Sequence, residues 1–254
     1  MNNIKQKISA KKLVLGTWNT MGSSTVTKVI GSSGLDFQII DLEHGPFIIN
    51  EIHNHVVSAA YFDCSCFVRI PSNTDWMALQ VLDQGAHGIV VPQINNVESA
   101  KQFIENTKYF PVGNRGYSPF TLAGGYENSK IKNYTNHANK NIVNIVIIES
   151  IEGINNIDEI IKLKEIDVVY IGAFDLSKSL GIPGDIYNSK IVDIVKNAAE
   201  KISKAGKLAG SFVPNTVDEV KFCLDLNLKF ITYSLDSLKL RDTYIKEIDQ
   251  IRNI

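Results

Sequence analysis

The chain has 254 residues, of which 44% are hydrophobic and 21% are charged, which suits a single globular domain over residues 1–254. Its 26 basic and 27 acidic side chains leave a formal net charge of -1, so the chain lacks the basic footprint of a protein that binds nucleic acid or an anionic membrane. A small-molecule partner is the interpretation that remains.

The amino-terminal segment, residues 1–12, is polar and basic, and no apolar stretch follows it. No later run reaches the length needed to span a bilayer, so we expect a cytoplasmic protein without membrane attachment. The three cysteines show neither the even count of a disulfide framework nor the C-x-x-C spacing of a zinc site. They are Cys64, Cys66 and Cys223, and we expect them to be buried as small hydrophobic residues.

Short apolar runs rich in β-branched residues recur along the chain and predict eight β-strands. They cover residues 12–19, 37–44, 64–71, 87–94, 141–150, 167–175, 207–213 and 229–236. The segments between them have helical spacing of apolar residues, as in residues 97–104, 154–161 and 191–198. Strands apolar on both faces, alternating with helices, are typical of parallel sheets covered by helices.

Eight such strands favour a closed α/β barrel, the (β/α)₈ or TIM barrel, over an open doubly wound sheet. The chain has no G-x-G-x-x-G after its first strand and no G-x-x-x-x-G-K-[ST], so the usual nucleotide-binding fingerprints are missing. The one long connection, residues 110–140, is rich in Gly, Asn and Tyr. Connections of this length in compact domains are usually functional or mobile, so we predict a lid there.

Polar residues that close apolar runs are the candidates for catalysis, because barrel active sites lie at the carboxyl ends of strands. The second run ends in residues 41–44, Arg69 lies in the third, and Glu149 and Asp175 end the fifth and sixth. Each has a structural alternative: Asp175 as a helix N-cap, Glu149 as a solvated strand end, and His44 as a loop histidine. For Arg69 function is favoured, because a guanidinium between aliphatic residues of a buried strand needs an anionic or carbonyl partner.

Carboxylates that end neighbouring strands converge at the barrel mouth, and oxygen-only ligation suits Mg²⁺ or Mn²⁺ better than zinc. We therefore predict that Glu149 and Asp175 hold a divalent cation. The oxygens of a bound 2-oxo acid would chelate it, and the cation would stabilise the enolate that forms when a methyl proton leaves. Arg69 would neutralise the same oxygen, His44 would carry the proton, and Asp83 would orient His44.

The candidate residues lie in or near several longer motifs, which occur in a fixed order along the chain. Between about residues 14 and 240 the chain resembles the HpcH/HpaI family of class II pyruvate aldolases, which includes 4-hydroxy-2-oxoheptanedioate and 2-dehydro-3-deoxyglucarate aldolases. The motifs that carry the resemblance are IIDLEHGP, FVRIP, VLDQGAHGIVVPQINNVESA, YFPVGNRGYSP, IIESIEGINNIDEI and YIGAFDLSKSLGIPGD.

The resemblance implies a (β/α)₈ barrel with Glu149 and Asp175 as ligands of Mg²⁺, Mn²⁺ or Co²⁺, Arg69 on the pyruvyl oxygen, and a His44 and Asp83 pair for proton transfer. It also implies that backbone amides around Gly172, Ala173, Phe174 and Asp175 hold the carboxylate of pyruvate. A homohexamer of domain-swapped dimers is implied as well, in which the C-terminal helix packs on a neighbouring subunit.

The chain departs from the family pattern at two places. The family usually has Gln-x-Glu at the end of the fifth strand, whereas the residue two before Glu149 is Ile147. The family also reads Gly-Pro-x-Asp-Leu-Ser, where this chain has Gly172, Ala173, Phe174 and Asp175. The large Phe174 is therefore expected beside the pyruvyl site.

The leading hypothesis is a metal-dependent aldolase that reversibly cleaves a 4-hydroxy-2-oxo acid to pyruvate, or a similar 2-oxo acid, and an aldehyde through a metal-bound enolate. One alternative is a lyase of β-hydroxyacyl-CoA thioesters of the malyl-CoA or citramalyl-CoA type. Another is a barrel that binds a 2-oxo acid without turning it over. In the 110–140 segment, Arg115 and Tyr117 either meet an acidic acceptor or pack within the turn.

Overall fold

The computed structural model describes residues 4–127 and 131–254, and its eight parallel strands close into one barrel in the order β1 to β8. This confirms the predicted (β/α)₈ architecture. The strands are β1 Val14–Asn19, β2 Phe37–Asp41, β3 Ser65–Arg69, β4 Gly88–Val91, β5 Val143–Ile148, β6 Val168–Ile171, β7 Leu208–Val213 and β8 Phe230–Leu235.

One helix precedes β1, and the other helices follow the strands around the outside of the barrel. They are α1 Ile4–Ser9, α2 Ser24–Gly31, α3 Ile52–Ala60, α4 Asp75–Asp83, α5 Val97–Thr107, α6 Ile131–Asn141, α7 Ile151–Asn155, α8 Ile157–Ile160, α9 Ala173–Ser179, α10 Ser189–Lys204, α11 Val217–Asp225 and α12 Asp236–Arg252. No helix in the described residues is long and apolar enough to cross a membrane.

Large side chains fill the barrel interior, so it forms a packed core. Phe37 stacks on Phe230 with ring centroids 4.2 Å apart and lies 5.5 Å from the ring of Phe67, and all three are fully buried. A second cluster of aliphatic residues lies between the strands and the surrounding helices. This arrangement explains why the strand sequences are apolar on both faces.

The polar amino-terminal segment contains a helix that the sequence analysis did not predict. In α1, Ile4 and Ile8 are spaced four residues apart and are buried in the same cluster as the barrel interior. Lys5 of this helix pairs with Asp167, which precedes β6, at an Nζ to Oδ2 distance of 2.5 Å. The helix therefore closes the amino end of the barrel and leaves the carboxyl end as the open mouth.

Two other predictions need correction. The helical stretch predicted over residues 154–161 is divided into α7 and α8 at Asn156, whose side-chain amide donates a hydrogen bond to the carbonyl of Asn95 at 2.8 Å. The predicted loop over residues 110–140 is in part helical, because α6 begins at residue 131. Residues 128–130 of that segment lie outside the described residues, so the lid remains a prediction.

Candidate active site

The site begins with two residues that end neighbouring strands. Asp41 of β2 lies opposite Arg69 of β3 in the strand register. The Arg69 side chain donates from Nε to Oδ1 of Asp41 at 2.8 Å and from Nη2 to Oδ2 at 2.5 Å. The Asp41 carboxylate also accepts the backbone N–H groups of Glu43 and His44. Asp41 thus holds both the guanidinium and the turn that carries His44, a role that sequence reasoning missed.

Arg69 is enclosed by further contacts. Its Nη1 lies 3.1 Å from Oε2 of Glu43, and its Cζ lies 4.3 Å from the ring centroid of Trp18 in a cation–π contact. Burial opposes the charge of Arg69, but the hydrogen bonds and charge of Asp41, followed by Glu43, outweigh burial and raise the pKa of Arg69. The guanidinium is therefore a permanent positive charge in a fixed orientation.

Glu149 directly follows β5, and its Oε1 accepts the backbone N–H of Gln93 at 2.9 Å. Gln93 has a φ of 56°, in the left-handed region, as part of the turn that aims this N–H at the carboxylate. Burial, followed by the negative charges of Asp175 and Glu43, raises the pKa of Glu149 to about 7, although the hydrogen bond from Gln93 and the charge of Arg69 oppose the rise. No side-chain signal marks Gln93 in the sequence, because its contact comes from the backbone.

Asp175 lies in the first turn of α9 and is more than half exposed. The N-cap of this helix is Gly172, so the alternative reading of Asp175 as the N-cap is wrong. Its contact with Lys178 is loose, with Nζ 3.8 Å from Oδ1. The carboxylate is therefore available beside Glu149.

His44 and Asp83 do not meet within the chain. His44 lies at the barrel mouth, whereas Asp83 ends α4 and pairs with Arg115 at an Nη2 to Oδ1 distance of 2.6 Å. Between these two described residues there is no hydrogen bond or ion pair. Asp83 already has its charged partner, so the predicted orientation of His44 by Asp83 of the same chain is not supported.

Arg115 and Tyr117 have packing contacts in this chain. The buried Arg115 guanidinium lies 4.5 Å from the ring centroid of Tyr109, and Tyr109 also contacts the ring of Tyr117. These contacts favour the turn-packing alternative for both residues.

Two cavities of about 530 Å³ and about 560 Å³ open at the mouth and share four of the predicted residues: His44, Arg69, Glu149 and Asp175. The first, the apolar chamber, is also lined by the predicted Gly172, Ala173 and Phe174. The second, the polar chamber, is lined by further polar residues, among them Gln93 and Lys178. The structure therefore brings a guanidinium, an imidazole and two carboxylates to one place.

The two carboxylates suit a hard divalent cation. Burial and the neighbouring negative charge disfavour ionised Glu149, and a cation between Glu149 and Asp175 would favour it. In the described part of the chain no group of three or more His, Cys, Asp and Glu side chains forms a complete metal centre. A cation held here would therefore take its remaining ligands from substrate and water, as Mg²⁺ commonly does.

The fold and this site define a (β/α)₈-barrel protein whose candidate functional groups lie at the carboxyl ends of its strands. The chain belongs to the HpcH/HpaI aldolase/citrate lyase family, whose model matches residues 15–241. This confirms the predicted family and places the protein among the aldolases and related lyases.

Individual relatives agree with this assignment. The chain is 29% identical over 241 residues to 2-keto-3-deoxy-L-rhamnonate aldolase of Escherichia coli strain K12, covering 95% of this chain and 90% of the relative. It is 29% identical over 246 residues to hydroxypyruvate/pyruvate aldolase of Roseobacter denitrificans, covering 96% and 94%. The crystal structure of an HpcH/HpaI aldolase from Desulfitobacterium hafniense matches with a TM-score of 0.93 and 25% identity, covering 99% and 97%.

Proposed function

We propose that the protein reversibly cleaves a 4-hydroxy-2-oxo acid to pyruvate, or a similar 2-oxo acid, and an aldehyde. The observation that carries the proposal is the partly buried, doubly hydrogen-bonded Arg69, which lines the same cavities as the Glu149 and Asp175 carboxylates. A fixed positive charge beside a potential cation site suits a reaction that develops negative charge on a carbonyl oxygen.

Glu149 and Asp175 would hold a divalent cation such as Mg²⁺, Mn²⁺ or Co²⁺. When bound, the cation supplies Lewis-acid stabilisation for the enolate oxygen of the 2-oxo acid. The chain contributes the two carboxylates and, through the N–H of Gln93, the orientation of Glu149. This assignment explains why two carboxylates, one of them partly buried, line the same cavities, with the loose contact between Asp175 and Lys178 as their only ion pair among the described residues.

The other residues hold the substrate and move the proton. Arg69 donates to the C2 oxygen, and the backbone from Gly172 to Asp175 receives the carboxylate. In the cleavage direction a base takes the proton of the C4 hydroxyl, the bond between C3 and C4 breaks, and its electron pair moves toward the C2 oxygen. Protonation at C3 then yields pyruvate, and His44, which lines both chambers, is the proton carrier.

Oxaloacetate distinguishes an enzyme from a barrel that only binds 2-oxo acids. A site that stabilises the enolate of pyruvate should decarboxylate oxaloacetate, because loss of carbon dioxide leaves the same enolate. We expect release of carbon dioxide above the metal-only background in the presence of Mg²⁺ or Mn²⁺. A rate equal to the background, together with no cleavage of any 4-hydroxy-2-oxo acid, would contradict the proposal.

The variant His44→Ala tests the proton carrier. We expect the exchange of pyruvate methyl protons for deuterium, followed by NMR, to fall by about 10²-fold or more, the usual contribution of a general acid or base. Metal binding measured by calorimetry should persist, because Glu149 and Asp175 are unchanged. The matched control is His137→Ala, an exposed histidine on α6, which should exchange at the wild-type rate. Full exchange in His44→Ala would assign the proton transfer to another group.

We also propose that the protein is an oligomer, a hexamer in the family pattern, assembled through α12. This helix has no buried residue, yet it carries several exposed apolar side chains: Leu240, Tyr244, Ile245, Ile248 and Ile251. Apolar side chains on a helix that the chain itself leaves uncovered indicate a contact with another copy. The resemblance to a family with a swapped C-terminal helix supports a neighbouring subunit as that copy.

Truncation after Ser237 tests this assembly. We expect multi-angle light scattering to show an oligomer for the full chain and a smaller species for the truncated chain. A full chain that runs as a monomer of 28.2 kDa, or an oligomer unchanged by the truncation, would contradict the role of α12. Circular dichroism of both proteins checks that the barrel remains folded.

A further inference from the structure

One side of the apolar chamber is formed by four side chains that we call the apolar wall: Ile147, Phe174, Phe212 and Leu238. They come from β5, α9, β7 and α12. The rings of Phe174 and Phe212 lie 6.1 Å apart at an interplanar angle of 52°. Ile147 is buried, whereas Phe174 is 48% exposed and faces the open mouth.

The apolar wall lies directly beside the carboxylate of Glu149, and Gly172 shows how close the two are. A Cβ placed on Gly172 would lie 2.9 Å from Oε2 of Glu149 and 3.2 Å from Cγ2 of Ile147. The apolar wall therefore lies next to the Glu149 carboxylate, which is proposed to hold the cation. A substituent near the reacting carbon would meet it.

The other polar groups on this side of the chamber already have partners. The hydroxyl and N–H of Thr20 donate to Asp236 at 2.7 and 2.9 Å. The hydroxyl of Tyr170 and the indole Nε1 of Trp18 both contact Oγ1 of Thr232, at 2.5 and 3.0 Å. A substrate hydroxyl placed here would lose its bonds to water and gain no free side-chain partner among these groups.

The polar chamber has the opposite character. Besides the four shared residues, it is lined by side chains that donate and accept hydrogen bonds: Glu43, Gln93, Asn95, Ser150, Lys178 and Ser179. The site therefore separates a region for polar groups from a region for apolar ones, and the two regions meet at His44, Arg69, Glu149 and Asp175.

We propose that the apolar wall receives an unfunctionalised alkyl or aryl substituent carried by one of the two carbonyl compounds that the enzyme joins. The wall then favours a carbon chain over a hydroxylated chain of equal length. This inference rests on the proposed aldolase function and specifies its substrate class. The substituent belongs either to the 2-oxo acid or to the aldehyde, and matched pairs of each separate the two sources.

Two pairs of compounds differ only by a methyl in place of a hydroxyl: 2-oxobutanoate against hydroxypyruvate, and propanal against glycolaldehyde. For the first pair, the test acid replaces pyruvate as the 2-oxo acid. For the second pair, pyruvate is the 2-oxo acid and only the aldehyde changes. We expect the apolar member of at least one pair to have a kcat/KM higher by about tenfold or more, because a site without a free partner rejects a hydroxyl. The pair that shows the preference tells whether the substituent belongs to the 2-oxo acid or to the aldehyde.

The variant Phe174→Ser places a hydroxyl in the apolar wall at a half-exposed position. It should remove most of the preference for the apolar member. The control Phe110→Ala removes a phenylalanine that is 82% exposed and lines neither chamber, and it should keep the wild-type preference. Equal use of both members in both pairs, preference for the hydroxylated members, or an unchanged preference in Phe174→Ser would overturn the proposal.

A binding measurement keeps this test separate from the aldolase proposal. Calorimetric titration of the Mg²⁺-loaded protein with 2-oxobutanoate and with hydroxypyruvate gives a ratio of affinities without turnover. If no aldehyde or 2-oxo acid is turned over, the aldolase proposal fails. Titration of the pyruvate-bound protein with propanal and with glycolaldehyde gives the corresponding ratio for the aldehydes. Tighter binding of the apolar member of either pair, weakened in Phe174→Ser, supports the inference about the wall, and equal or reversed affinities in both pairs contradict it.

Discussion

Removal of divalent cations with EDTA is expected to reduce aldol cleavage to background, and Mg²⁺, Mn²⁺ or Co²⁺ to restore it. The expected cause is the pair of carboxylates at the mouth, since Glu149 is partly buried and lies near the negative charges of Asp175 and Glu43. Without a cation the pair of carboxylates cannot polarise a carbonyl oxygen. Full activity in exhaustively chelated protein would overturn the metal-dependent mechanism and leave the barrel assignment unchanged.

The variants Glu149→Ala and Asp175→Ala test the same site from the protein side. Each should lower turnover by at least about 10²-fold, the scale seen when one stabilising group of a developing oxyanion is removed. Each should also weaken Mg²⁺ or Mn²⁺ binding in calorimetry. A matched control is Glu152→Ala, an exposed acid on α7 that lines neither chamber. Unchanged metal affinity in both site variants would place the cation elsewhere.

A lysine Schiff base is the other route to an enolate. Among the described residues no lysine lines the apolar chamber, and Lys178 of the polar chamber is largely exposed and lies 3.8 Å from the Asp175 carboxylate. Burial lowers the pKa of Lys108 to about 8, as such chemistry requires, but its Nζ donates to the carbonyls of Asn139 and Ile142, next to the amino end of β5. Lys207 likewise donates to the carbonyls of Leu163 and Ile166. Borohydride added with pyruvate should therefore leave the protein without a pyruvyl adduct in mass spectrometry.

Arg69→Lys is expected to lower kcat/KM by about 10²- to 10³-fold, although it keeps the positive charge. The guanidinium of Arg69 makes two parallel bonds to Asp41, contacts Glu43 and stacks on Trp18. A lysine ammonium has neither the planar fork nor the flat face needed to make these contacts together. It would leave the C2 oxygen without a donor in a fixed position.

The control for this variant is Arg252→Lys, at the exposed end of α12, which should keep wild-type turnover. Thermal unfolding distinguishes the catalytic effect from instability, because the buried Asp41 loses part of its bonding in Arg69→Lys. A folded Arg69→Lys protein with near wild-type turnover would show that Arg69 serves only to hold Asp41 and the turn behind it.

The carboxyl ends of the apolar runs show where sequence reasoning and structure diverge. The runs were predicted to continue through residues 42–44, 149–150 and 172–175, but β2, β5 and β6 end at Asp41, Ile148 and Ile171. These residues leave the strand ladder and enter the turns at the mouth, which is where they can approach a substrate. The local apolar pattern continues across the boundary, so it does not mark where the strand pairing stops.

The side-chain partners within the site depended on the tertiary structure. Asp41 meets Arg69 because β2 and β3 pair in register, and Gln93 meets Glu149 through a backbone N–H that carries no residue-type signal. Asp83 pairs with Arg115, a residue 32 positions away, and not with His44. Each of these contacts depends on the relative position of separate elements, which the composition of either element does not specify.

Apolar periodicity and the order of the motifs were enough to predict the barrel, its family and the presence of His44, Arg69, Glu149 and Asp175 at the mouth, because periodicity is local and active sites of this fold lie at strand ends. The burial of Ile4 and Ile8 at the amino end, the bonds between Asp41 and Arg69, and the separate apolar and polar sides of the mouth became visible in the folded barrel. These features arise when distant segments pack, because the register and tilt of the closed barrel set which side chains share a space.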